Sequence, residues 1–242
     1  MTVAHQAARP ARADSIFFPG MALALAAVVF TGFAPSWFLR GYIRPSIPLE
    51  PLSPLIMVHG TAFTLWVALF IAQTSLVAAN RRDIHRKLGW WGAGLAIAML
   101  ILGWTAALNS LRHGFTPLPS ISPAAFFAVP AISLAVFAPL VLLGVLNRKR
   151  PAAHKRYMLM STISLLLPAV ARIFLPTHIP PLLAGFAVAD IFVLAMLVYD
   201  FVQLGKVHRA TWVGTAILIA SEPGRIMLSQ TQWWQAFANS LV

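Results

Sequence analysis

The feature that most constrains this chain is a series of apolar stretches, each about 20 residues long, separated by short turns rich in Arg and Lys. An α-helix rises ~1.5 Å per residue, so one such stretch crosses the ~30 Å hydrocarbon core of a bilayer. In lipid every backbone N–H and C=O has to be paired internally, which makes each stretch a helix. Seven stretches fit: Ile16–Phe38, Ser53–Ala79, Leu88–Leu108, Pro123–Leu146, Tyr157–Leu175, Pro181–Leu204 and Thr211–Phe237. The predicted fold is all-α, an integral membrane bundle of about seven transmembrane helices. Residues 1–15 are read as an N-terminal cytoplasmic tail and residues 16–242 as a single transmembrane helical domain. Ile16–Pro35 is long for the apolar region of a signal peptide, so it is read as the first span.

Composition agrees. Hydrophobic residues make up 59% of the chain and charged residues 10%, against roughly 25% charged in soluble domains. The mean hydropathy is +0.78. The net charge of +12 raises the question of nucleic acid, but the basic residues sit in short runs between apolar segments and form no continuous face. No nucleic-acid partner is expected; the bilayer is.

The basic runs also give an orientation. Arg9 and Arg12 precede the first span. Arg81, Arg82, Arg86 and Lys87 follow the second, Arg148, Lys149, Arg150, Lys155 and Arg156 the fourth, and Lys206 and Arg209 the sixth. The alternate loops hold Arg40, Arg44 and Arg112. The positive-inside rule then predicts a cytoplasmic N-terminus and, with seven spans, an outside C-terminus. The expected location is the bacterial cytoplasmic (inner) membrane. Trp37, Trp90, Trp91, Trp104, Trp212, Trp233 and Trp234 fall near segment ends, as interfacial aromatics do.

Each cytoplasmic loop carries a His beside a basic residue just before an odd-numbered helix: His85-Arg86, His154-Lys155-Arg156 and His208-Arg209. Helix N-termini attract anions, so these clusters suit anionic lipid head groups. The plainer reading is that they only fix topology.

Two of these stretches carry a family likeness. His85-Arg86-Lys87-Leu88-Gly89 resembles the "HR-x-x-G" motif of the DUF2306-like bacterial membrane proteins. His154-Lys155-Arg156-Tyr157-Met158 with Pro168, Arg172 and Pro176 resembles their "HRRWM…R…P" helix, and His59-Gly60 with Gln73 their first His-bearing helix. The resemblance runs over roughly Val58–Pro176. It implies a multi-helix membrane fold and no established activity.

Ionisable residues at bilayer depth are costly and call for a reason. His59, Arg172, Asp190, Glu222 and Arg225 fall in the middle-to-outer layer. As ligand-binding residues they would bind or pass a small polar or anionic molecule, or protons. As structural residues they would pair, Arg172 with Asp190 and Glu222 with Arg225. Glu222-Pro223-Gly224 predicts a break in the seventh helix, as in transporter sites, or an ordinary kink.

The chain has no Cys, which excludes disulfides, thiolate metal sites and iron–sulfur clusters. It has no phosphate-binding Gly-rich loop, G-x-S-x-G or H-E-x-x-H, so catalytic residues are not assigned and enzymatic activity is not expected. No metal site is read beyond haem b, which would take His59 and one partner. His113 and His178 read as loop residues, and His85, His154 and His208 lie at the other end. Three functions follow: a transporter or small-molecule-binding protein, a haem-b-binding oxidoreductase subunit, or a structural or assembly factor. A homo-oligomer or another membrane protein is a further expected partner.

Overall fold

In the computed structural model, residues 12–45, 49, 51–117 and 120–242 are described. Arg9 and most of the predicted tail lie outside them. The elements are α1 (Arg12–Phe33), a π-helical turn (Ala34–Phe38), α2 (Pro54–Ala78), α3 (Arg82–Arg112), α4 (Pro123–Leu146), α5 (Pro151–Ile163), α6 (Leu167–Phe174), α7 (Pro181–Leu204), α8 (Arg209–Gln230) and α9 (Gln232–Asn239). Among the described residues there is no strand.

Among the described residues, six helical segments are long and apolar enough to cross a membrane: Arg12–Phe38, Pro54–Ala78, Arg82–Arg112, Pro123–Leu146, Pro151–Phe174 and Pro181–Leu204. The predicted seventh segment differs. It is two helices, α8 and α9, parted at Thr231, whose hydroxyl accepts from the Trp234 N–H and caps α9.

Proline placement explains most of the boundaries. Pro54, Pro123, Pro151 and Pro181 each open a helix, where the missing N–H costs nothing. Ser53 and Ser122 cap α2 and α4. Gly205, at φ +66°, ends α7 in the left-handed conformation.

The predicted break at Glu222-Pro223-Gly224 is absent, for α8 runs through Pro223. One lost hydrogen bond is tolerated there. The broken helix is instead the fifth. Pro168 has no N–H for the Ser164 carbonyl, and the turn before it tightens: Leu165 bonds to Thr162 (3.2 Å) and Leu166 to Ile163 (3.0 Å). α5 ends there and α6 begins.

α5 and α6 form the centre of the bundle. In their span 61% of the apolar stretch is buried, against 17–33% in the others. Leu159, Met160, Ile163, Val170 and Met196 are inaccessible. α5 packs mainly on α4 and α8, with smaller contacts to α1 and α7, whereas α6 packs on α1 and α7. At Gly32 a Cβ would stand 2.2 Å from the Ala169 carbonyl oxygen, so only glycine lets α1 lie this close to α6. The outward apolar side chains, among them Ile97, Ile101, Ile191 and Phe201, suit a hydrocarbon solvent.

Candidate functional site: two polar clusters at different depths

The basic runs share one end of the bundle, hereafter the basic end. His85 and His154–Arg156 do not precede their helices as expected. They lie in the first turns of α3 and α5, because those helices start earlier, at Arg82 and Pro151. His208 alone precedes its helix; its Nδ1 accepts from the Ala210 N–H and caps α8.

The predicted anion-binding residues are largely consumed by the protein. Arg156 (2% exposed) pairs with Asp200 (0%). Its Nε donates to both carboxylate oxygens, at 2.9 and 3.1 Å, and an NH2 group donates to one of them. Asp200 also accepts from the His208 N–H (3.0 Å) and the Thr211 hydroxyl (2.5 Å). One carboxylate thus ties α5, α7 and the start of α8. Lys155 donates to Asp14, which also accepts from the Tyr199 hydroxyl, and this ties α1 to α5 and α7. The ring of Phe17 stacks on Tyr199 at 3.9 Å. His154 Nδ1 bonds the Gly144 carbonyl (2.8 Å). Lys155, Arg156 and His154 thus hold helices to one another at this end. Arg86 and Arg209 remain exposed. Asp14, Asp200, Tyr199 and Thr211 carry this network and were not predicted.

The five predicted ligand-binding residues fall into two groups. His59 and Arg172 belong to the end opposite the basic one. The His59 ring lies against Phe63, with centroids 4.4 Å apart, and its Nδ1 is buried without a partner. Arg172 lies in the last turn of α6. Its guanidinium lies 4.3 Å from the Phe33 ring centroid and donates to the Pro168 carbonyl at 2.9 Å.

Asp190, Glu222 and Arg225 form the second group, between α7 and α8. The expected pairs Arg172–Asp190 and Glu222–Arg225 are not among the ion pairs of the described residues. Asp190 and Glu222 are instead neighbours across the α7–α8 interface, close enough for their charges to interact. Arg225, 4% exposed, donates to the Ser221 hydroxyl at 2.8 Å and leaves its Nε buried and unpaired. Its guanidinium lies 5.7 Å from the Phe186 ring centroid. A cavity of about 20 Å3 adjoins Ser164, Ser221, Glu222 and Arg225. That is room for one water. Ser164 belongs to the α5–α6 break, so the broken helix and Glu222 border one cavity.

The expected haem ligand His59 has no second histidine ring in contact among the described residues. The histidines that do meet are His85 and His154, with ring centroids 6.1 Å apart and planes at 83°. His85 Nδ1 and Gln73 Oε1 are both buried without partners. Among the described residues no group of three or more His, Cys, Asp or Glu has metal-binding spacing.

No family model, no curated protein and no solved structure matches this chain.

Proposed function

We propose that this chain is a multi-pass protein of the bacterial cytoplasmic membrane that passes protons through the Asp190–Glu222 pair. The basic end would be cytoplasmic, with α8 as a seventh span and the C-terminus outside, following the Arg/Lys bias of the turns. Membership of the DUF2306-like group is likewise a proposal, resting on the motif residues of α2, α3, α5 and α6.

One observation carries the proton reading. Asp190 and Glu222 are neighbours, and two adjacent carboxyl groups resist ionising together, so the pair retains a proton it can pass on. Both are half-buried, and Asp190 is ~14 Å along α7 from its start at Pro181. The adjoining space takes a water and little more, which suits a relay better than an organic ligand. Arg225 beside the pair would favour whichever carboxyl is ionised.

The test is proton flux into liposomes holding a pH-sensitive dye, with the purified protein reconstituted and a membrane potential imposed. Wild type should exceed empty liposomes, and Glu222→Gln or Asp190→Asn should lower the rate about 100-fold, the usual loss when a proton-transfer group is removed. No wild-type flux, or full flux in both variants, overturns the proposal.

A second reading, a haem or metal redox centre, is favoured by the His85–His154 pair with Gln73. Two imidazoles on facing helices are a haem-ligand arrangement, and His154 is already oriented through Gly144. Purified protein from haem-supplied cells should then show a Soret band that His154→Ala removes. Colourless protein excludes haem.

A further inference from the structure

We infer that a groove at the basic end, between the last turn of α4 and the first turns of α5 and α8, binds an acidic phospholipid. The groove has a volume of about 580 Å3, within the range of about 300–1,000 Å3 typical of sites for organic ligands. Its chemistry is divided. Leu143, Ala153 and Val213 give it apolar walls, and Arg150, His208 and Arg209 supply polar groups.

These polar groups stand apart from the basic residues around them. Lys155 and Arg156 are committed to Asp14 and Asp200. Arg150 and Arg209 are exposed, and their guanidinium groups have no hydrogen bond or ion pair among the described residues. The nearby carboxylate, Asp200, does not serve them, since its oxygens already accept from Arg156, His208 and Thr211.

His208 adds a donor. Its Nδ1 accepts from the Ala210 N–H, so the proton of the neutral ring sits on Nε2. Burial and the nearby Arg156 charge hold its pKa below the ordinary histidine value, which keeps the ring neutral near pH 7. Two free guanidiniums and an imidazole N–H are all donors, and they match an anion with several oxygens, such as a phosphate. The apolar walls account for the rest of the volume. A free phosphate would leave them wet, whereas an acyl chain covers them. A phospholipid with an acidic head group satisfies both halves, and the bilayer supplies it at this level.

The test uses the full-length protein in nanodiscs of phosphatidylcholine, into which phosphatidylglycerol is titrated while thermal unfolding is followed. Wild type should gain stability saturably with the acidic lipid. The Arg150→Ala/Arg209→Ala double variant should need about tenfold more or above, at the usual contribution of each cation near an anionic surface. Both arginines are exposed, so this variant folds. Leu143→Trp fills the groove without changing charge and should also weaken the response. Three results overturn the inference: an equal gain from added phosphatidylcholine, an unchanged response in both variants, or the same gain from millimolar inorganic phosphate. The last would assign the groove to a free anion.

Discussion

The two polar clusters differ less in composition than in completeness. At the basic end Asp200 receives a donor on every side, and Arg156 returns its remaining N–H bonds to Asp200 and the Ala152 carbonyl. Between α7 and α8, Arg225 keeps an unpaired Nε and two carboxyls face each other. A buried network in which every group is satisfied holds elements in place and has nothing left to offer a ligand. One with an orphaned donor beside a water-sized cavity is poised to exchange partners. The contrast teaches that buried charge marks function only when its bonding is left open.

Substitution can break this comparison. The largest expected effect is at Asp200. Asp200→Ala leaves Arg156 buried and uncompensated, at a cost of about 3–5 kcal/mol, read as lost folded yield and a lower unfolding midpoint in detergent. The double change Arg156→Met/Asp200→Leu should recover most of that loss, because a buried pair replaced by apolar side chains is often neutral. If the double variant is as unstable as the single one, the network does more than neutralise charge. Arg225→Leu should cost about 1 kcal/mol or less, since an incompletely bonded guanidinium gives up little when removed. A loss as large as that at Asp200 would erase the distinction between the clusters. Arg172→Gln should change stability least, within about 0.5 kcal/mol, because its side chain lies on the bundle surface against Phe33. It should also leave proton flux intact, since Arg172 has no contact with Asp190 or Glu222.

Much of the fold was legible because hydrophobic length and proline position are local signals. α4 and α7 match the predicted Pro123–Leu146 and Pro181–Leu204. The fifth and seventh helices went astray for one physical reason. Proline interrupts a helix when the turn before it relaxes into tighter bonds, as Ser164–Leu166 does, and that depends on what the segment meets. α8 keeps its helix through Pro223, and no local feature distinguishes the two cases.

The site was legible at the level of single residues and not of partners. Asp190, Glu222 and Arg225 stood out as ionisable groups within apolar runs. Which of them touch depends on the rotation of α6, α7 and α8, which periodicity leaves undefined. Asp14 and Asp200 were missed although a signal existed. The chain has six acidic residues against 18 basic ones. Those two lie near helix ends beside the basic runs, where each was the natural counter-charge to Lys155 or Arg156.

The interruption between α5 and α6 also has a mechanical meaning. The α5 half rests mainly on α4 and α8 and the α6 half on α1 and α7, while the Asp200 network ties α7 back to α5 at the basic end. A continuous helix would carry any tilt from one group to the other. A joint at Ser164–Leu166 lets α6 and the ends of α1 and α7 remote from Asp200 tilt, while the basic end stays clamped by the Asp14 and Asp200 bonds. Asp190 and Glu222 lie beyond that clamp, on the stretches of α7 and α8 nearer the joint.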